Sequence, residues 1–204
     1  MRKTNVISIM KKKTIGLVPT IIKRRGSLSF VIETKTFKFL KSCFKNYDYK
    51  ILNENMRTVK LDLIISLGGN SLISIKQNNA NYMRSRLDNY YLRLAIKKKI
   101  PFLGICYGAQ FIANFFKSKI TKKINHTNKI HQITLISNKK IFVNSYHDYS
   151  ITALDEPLSI IANSNDGSIE AFKHVNKRIL GIMWHPDRYN KIKKFDLDFI
   201  KKFL

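Results

Sequence analysis

The chain has 204 residues, 44% of them hydrophobic and 11% aromatic, which is enough apolar material for a full core and excludes a wholly disordered protein. Its 38 basic residues against 13 acidic ones give a formal charge of +25, a balance that invites a nucleic-acid or anionic-surface partner. The lysine runs sit at the edges of apolar segments and Asn and Ile are also abundant, so a solvated basic surface with no dedicated polyanion partner accounts for the charge equally well.

Residues 1–9 precede a second methionine at position 10 and are expected to lie outside the fold; the remainder reads as one domain with no internal repeat or linker. No apolar run reaches the ~20 residues of a bilayer span, and no secretory signal pattern opens the chain, so the sequence predicts a cytoplasmic protein with no membrane contact. The two cysteines, Cys43 and Cys106, lie in unlike surroundings, which argues against a disulfide framework.

In chain order, residues 14–19 read as a strand. Phe30, Phe37, Leu40 and Phe44 fall near helical spacing and predict a helix over 30–46, with Cys43 beside its apolar stripe as a small buried hydrophobe. Residues 61–67 form a second strand, which runs into the turn Gly68-Gly69-Asn70. A long helix over 82–99, a strand over 100–105 and a helix over 109–116 follow. Beyond residue 130 the pieces shorten to extended runs at 132–136, 141–144, 158–163, 168–173 and 179–184, a partly antiparallel region. Ile192, Phe195, Phe199, Ile200 and Phe203 share one face of a closing amphipathic helix. The alternation of strands and helices predicts an α/β fold.

Gly104-Ile105-Cys106-Tyr107-Gly108 is a nucleophile elbow with cysteine at its centre, between a predicted strand and a predicted helix. The glycines let the turn pass close to its neighbours, and the helix that follows aims free N–H groups at the sulfur, favouring thiolate. The Tyr107 amide is the expected oxyanion donor. A nucleophile needs a base, and of the five histidines His185 is the one directly following an apolar strand, with Asp187 the nearest carboxylate. His126, His131 and His174 read as surface residues in Lys- and Asn-rich surroundings; His147 is either a site wall or structural. No His/Cys cluster has ligand spacing along the chain, so neither a metal nor a cofactor is expected.

Taken together, Pro101-Phe-Leu-Gly-Ile-Cys-Tyr-Gly-Ala-Gln110, Ser66-Leu-Gly-Gly-Asn70, Asn144-Ser-Tyr-His147 and Gly181-Ile-Met-Trp-His-Pro-Asp187 resemble the class I glutamine amidotransferases over residues 12–190. More narrowly they resemble its γ-glutamyl hydrolase branch, which includes γ-glutamyl-γ-aminobutyrate and γ-glutamyl-CDP-amidate hydrolases. The resemblance implies a flavodoxin-like open, mostly parallel sheet flanked by helices. It also implies a triad of Cys106, His185 and Asp187, an oxyanion hole from the Gly69 and Tyr107 amides, and substrate contacts from Asn70, Gln110, Ser145, Tyr146 and His147. The family usually carries glutamate after His-Pro; Asp187 is one methylene shorter, and Glu170 or Asp148 is the substitute if it does not reach.

The chemistry so implied is cleavage of a γ-glutamyl amide through a thioester, with a small-molecule γ-glutamyl amide as substrate. The leaving amine is either a larger amine, released by a free hydrolase, or ammonia, delivered to a separate synthetase partner. The lack of a synthetase segment within these 204 residues favours the hydrolase. A nucleotide-bearing leaving group, as in capsule synthesis, would be drawn to a cationic rim, for which Arg84, Arg86 and Arg188 are the candidates. A basic nucleic-acid-binding protein is the alternative of another class, but the aromatic-interleaved basic motifs of RNA-binding sheets are lacking, so no specific nucleic acid is expected.

Overall fold

The computed structural model describes residues 12–56, 59–123 and 126–204; the expected extension at 1–9 lies outside them. The strands are β1 (Lys13–Val18), β2 (Thr20–Arg24), β3 (Ser27–Val31), β4 (Tyr47–Ile51), β5 (Leu63–Ser66), β6 (Phe102–Ile105), β7 (Lys119–Lys122), β8 (Thr127–Leu135), β9 (Lys140–Tyr146), β10 (Tyr149–Ala153), β11 (Leu158–Ser164), β12 (Ile169–His174) and β13 (Ile179–Ile182). The helices are α1 (Thr34–Cys43), α2 (Asn79–Lys98), α3 (Tyr107–Phe115) and α4 (Lys194–Phe203).

Eleven of the described strands make one sheet, in the order β4-β1-β5-β6-β13-β12-β11-β8-β9, with β10 and β7 branching from β12. The half from β4 to β13 is parallel throughout, and the half from β12 to β9 is antiparallel. This is the α/β sheet with an antiparallel C-terminal region that the alternating pattern predicts.

The parallel strands are apolar on both faces because helices cover both. Leu63 and Ile65 of β5, Leu103 and Ile105 of β6, and Leu180 and Ile182 of β13 point to one side, where α1 and α4 deliver Phe39, Leu40, Phe199 and Ile200. Ile64, Phe102 and Ile179, one residue out of phase, point to the other, where α2 and α3 deliver Leu87, Tyr91, Leu92 and Ile112.

Two local differences from the sequence reading have physical causes. The helix predicted over 30–46 begins only at Thr34, since β2 and β3 pair as a hairpin whose two-residue turn, Arg25-Gly26, has φ of 48° and 83°. Two consecutive positive φ values match the right-handed twist of a hairpin, so Phe30 lies in β3. Helix α2 starts earlier than predicted because the Asn78 side chain accepts the Asn81 amide at 2.8 Å. Strands β4, β7 and β10 lie outside the runs read as strands from the sequence, although Tyr47-Asp48-Tyr49-Lys50-Ile51 of β4 alternates apolar and polar residues as an edge strand does.

Candidate active site

Three neighbouring parallel strands bring the site together. The register pairs Ser66 with Gly104 and Ile105 with Ile182, so the segments leaving β5, β6 and β13 emerge side by side at the C-terminal edge of the sheet. Those segments carry Gly68-Gly69, Cys106 and His185, and such an edge is where open α/β sheets bind ligands.

Cys106 has φ 50° and ψ −102°, a conformation outside the ordinary regions for a side-chain-bearing residue, and helix α3 begins at the next residue. The turn is held by its neighbours: the Cys106 amide donates to the Ile182 carbonyl at 2.8 Å, and Gln110 closes the first helical bond onto the Cys106 carbonyl at 2.9 Å. It is possible only with glycine at 108, where a Cβ would stand 2.3 Å from the Ser66 carbonyl oxygen. Tyr107, the first residue of α3, has one of the helix amides that lack an intrahelical partner.

His185 is fastened on both sides. Its backbone N–H donates to Asn144 Oδ1 and its carbonyl accepts from Asn144 Nδ2, each at 2.8 Å. Its Nδ1 lies 3.3 Å from Asp187 Oδ1, and the other carboxylate oxygen of Asp187 accepts from the Thr36 hydroxyl. The shorter acid therefore comes within reach of the imidazole, and Thr36 of α1 pins it there. Of the two substitutes, Glu170 faces His126, His131 and His147, and Asp148 accepts from Thr127.

The electrostatics favour an ion pair. Burial alone would raise the Cys106 pKa, but the hydrogen bond and charge of His185, with lesser help from His147 and Arg188, outweigh it and bring the thiol below its usual range. Burial opposes the imidazolium, yet the Cys106 thiolate and the Asp187 carboxylate hold His185 up at about 9. Asp187 remains anionic against its burial, through His185 and Thr36. Cys43 is the contrast: with no cation in hydrogen-bonding contact, burial pushes its thiol up to about 12. A thiolate and an imidazolium in contact, oriented by a carboxylate, can attack a carbonyl and then protonate the group that leaves.

A cleft of about 300 Å³ opens onto His185, lined by Gly68, Gly69, His185, Asp187, Arg188 and the hairpin residue Thr20, among others. Tyr146 stands at its side, with its ring 5.8 Å from His185 and the Arg188 guanidinium 4.6 Å above it. The Ser145 hydroxyl donates to the His126 carbonyl, and Gln110 Nε2 donates to the Tyr149 carbonyl at 2.8 Å. Asn70 is engaged within the protein: its amide exchanges two 2.9 Å bonds with the Ile21 backbone, reaches Asn81 at 3.0 Å, and so ties the hairpin to α2.

Three expectations are corrected, and one cluster of side chains comes to light that the sequence order hides. Arg84 does not belong to a cationic rim: it is fully buried, 2.7 Å from Asp88 and bonded to Ser66 and the Pro19 and Leu67 carbonyls. Arg86 pairs with Glu54 at 3.2 Å, leaving Arg188 as the arginine of the three that lines the cleft. His126 and His174 are buried, not surface residues, at 7% and 6% exposure. Finally, His126, His147 and Glu170 have ligand-capable atoms all within 4.8 Å of one another, although no ligand spacing is visible along the chain. Asn144 and Thr36 were also missed as positioning residues. Asn144 sits in a recognised motif, whereas nothing near Thr36 in sequence signals a role.

The profile of the family described as glutamine amidotransferase class-I matches residues 44–204. A γ-glutamyl-CDP-amidate hydrolase of Campylobacter jejuni is 35% identical over 164 residues, which span 78% of this chain and 80% of that protein. Among solved structures, a protein assigned as a GMP synthase subunit from Thermoplasma acidophilum superposes with a TM-score of 0.69 at 18% identity, covering 95% of this chain and 92% of that one. A glutamine amidotransferase of Thermotoga maritima gives 0.69 at 15% identity, covering 94% and 84%. At these identities the two structures speak to the fold alone. No helix among the described residues is long and apolar enough to cross a membrane.

Proposed function

Because the chain belongs to the class I glutamine amidotransferase family, we propose that it is a γ-glutamyl amide hydrolase working through Cys106, His185 and Asp187. The observation that carries this reading is the pairing at the C-terminal sheet edge: a cysteine in a strained turn, its thiol lowered by a histidine that a buried carboxylate holds from behind.

In this mechanism the Cys106 thiolate attacks the γ-carbonyl carbon, and the carbonyl electron pair moves to oxygen, facing the Gly69 and Tyr107 amides. As the C–N bond breaks, the His185 imidazolium gives its proton to the departing amine, leaving a γ-glutamyl thioester on Cys106. Water then gives a proton to neutral His185 and adds to the thioester carbon. Collapse expels the thiolate and frees glutamate, restoring the ion pair. Asp187 keeps the Nδ1 side of His185 protonated and its ring oriented throughout. Gln110 and the Ser145-Tyr146 backbone are the proposed contacts for the glutamyl moiety.

The leaving amine is assigned to a phosphate-bearing, nucleotide-linked conjugate of the kind used in surface polysaccharide synthesis. The likeness to the Campylobacter enzyme supports this, and so does a second cleft of about 510 Å³ that shares Arg188 with the first and adds Lys35, Lys129 and Tyr146. Three cations around a wet cleft suit phosphate oxygens.

The test is glutamate release from glutamine, γ-glutamyl-γ-aminobutyrate and a γ-glutamyl phosphoramidate nucleotide, by wild type and by Cys106→Ala. Cys106-dependent release from the nucleotide conjugate, with glutamine poor, is the expected result. Cleavage of glutamine alone would instead indicate that the chain supplies ammonia to a synthetase, and no cleavage by intact protein would overturn the triad.

A further inference from the structure

Behind the Cys106–His185 pair lies a second group of titratable side chains, of which His147 alone bears on the chemistry above, as a minor charge acting on Cys106. His126 immediately precedes β8, His131 lies within it, His147 follows β9, and Glu170 lies on β12. The pairing of Thr127 with Tyr146, and of β12 with β8 through β11, gathers all four at the inner end of the antiparallel half-sheet.

The distances are the first clue. His131 Nε2 stands 3.6 Å from Glu170 Oε2, His147 Nε2 stands 3.6 Å from Glu170 Oε1, and His126 Nδ1 stands 3.9 Å from the same oxygen. Good hydrogen bonds to oxygen fall at about 2.7–3.2 Å, so these contacts are too long to be them. Two ligand atoms each ~2.1 Å from a tetrahedral zinc ion stand roughly 3.4 Å apart, so the His147 and His126 separations from Glu170 Oε1 come within about half an ångström of a shared ion, and the ligand atoms of these three residues all lie within 4.8 Å of one another.

Satisfaction is the second clue. Glu170 is fully buried, and neither carboxylate oxygen reaches a hydrogen-bond partner; His126 Nδ1, His131 Nε2 and His147 Nε2 are likewise buried and unpartnered. A buried carboxylate facing three unsatisfied imidazole nitrogens is a costly arrangement unless a cation occupies the middle.

The surrounding shell is the third. His126 turns its other nitrogen, Nε2, to Asp166 Oδ2 at 2.8 Å, and Asp166 is itself fixed by the Ser164 hydroxyl and by the Ser168 amide and hydroxyl. A carboxylate behind an imidazole sets its tautomer and orients it toward a metal.

We infer that His126, His147 and Glu170 bind one divalent transition-metal ion of the zinc class, with His131 in the surrounding shell against the second Glu170 oxygen. Two imidazoles and one carboxylate suit that ion, and all three side chains are more than nine-tenths buried and do not line the cleft beside His185, so the site is structural, not catalytic. It would tie the start of β8, the end of β9 and β12 together, next in sequence to Tyr146, whose ring lies 5.8 Å from His185.

The test uses the full chain, stripped with a chelator and then titrated with Zn²⁺ and with Co²⁺. The readouts are metal content by mass spectrometry, the visible absorption of Co²⁺ and the thermal midpoint, none of which needs turnover. The expectation is about one equivalent per chain, the intense absorption of tetrahedral Co²⁺, and a Tm that rises by several degrees on loading. Cys106→Ser should retain all three, which separates this site from the Cys106–His185 pair. Glu170→Gln should bind at least roughly tenfold more weakly; if that variant does not fold, His126→Gln, at the least buried ligand, replaces it with the same expected loss.

Failure of wild type to take up either metal, with a Tm indifferent to chelation, would overturn the proposal and leave a proton-linked His-Glu cluster in its place. Unchanged affinity in the folded Glu170 or His126 variant would overturn it too, as would loss of the metal in Cys106→Ser.

Discussion

At Gly68 a Cβ would stand 2.6 Å from His185 Cε1 and 3.2 Å from its Nε2, so the imidazole occupies the space a side chain would need. Gly68→Ala is therefore expected to displace the ring and to lower kcat by roughly 10²-fold, since a misplacement near 1 Å has that effect. The thermal midpoint should move little; a loss of fold in place of activity would sink the explanation. Asp187 acts through the same ring. With His185 held up at about 9 by Cys106 and Asp187, kcat/KM should fall as pH rises through about 9, where the imidazolium loses its proton. Removing the Asp187 charge lets that pKa drop, so Asp187→Asn should shift the alkaline limb to lower pH and reduce kcat by roughly 10³- to 10⁴-fold. A pH profile with its alkaline limb unmoved would show that Asp187 does not govern His185. Both residues were recognisable from their place in a motif, but the reach of an aspartate across a 3.3 Å gap was not, because it depends on the turn after β13 and on Thr36.

Helix α4 illustrates what an element adds. Its apolar face was legible from the spacing of Phe195, Phe199, Ile200 and Phe203, but its docking buries Asp196 to 1% exposure beside Trp184, whose indole N–H donates to it at 2.9 Å. Burial raises the Asp196 carboxyl to about 6, against the opposing effects of Trp184 and Lys193. The folded state thus holds this proton more tightly than the unfolded state does, whose value is 3.8, and the stability contributed is lost as pH rises from about 4 to above 6. Asp196→Asn keeps the acceptor for Trp184 and removes the charge. Relative to wild type it should gain up to roughly 3 kcal/mol between pH 4.5 and pH 8, read as a difference in urea unfolding free energies. A constant difference across that range would refute the assignment. The hairpin β2-β3 teaches the converse: Phe37, Leu40 and Phe44 mark helix α1 and its end, whereas Phe30 shares their spacing by coincidence and lies in β3, beyond the Arg25-Gly26 turn.

For the whole molecule, a charge of +25 spread over the surface predicts association with polyanions governed by salt alone. Binding to mixed-sequence DNA at ~50 mM salt should weaken by orders of magnitude by ~200 mM, with no preference for sequence or strandedness. A preference that survives the higher salt would revive the nucleic-acid reading. The charge is an outcome of composition, whereas the cleft beside His185 is an outcome of topology.

The sequence by itself determined the α/β alternation, the elbow at Cys106 and the histidine at the end of β13, because each rests on residues within a few positions of one another: glycines beside a nucleophile, an apolar run before a polar turn. Tertiary structure alone decided that Thr36 holds Asp187 from 151 residues away, that Asn144 clamps the His185 backbone from 41 residues away, and that Asn70 and Arg84 serve the frame. It alone gathered His126, His131 and His147 around Glu170. Those relations follow from strand order and register, which are set when helices cover both faces of the sheet and each strand settles against its neighbours. Local sequence carries the chemistry of a side chain, and only the packed sheet supplies its distance to another.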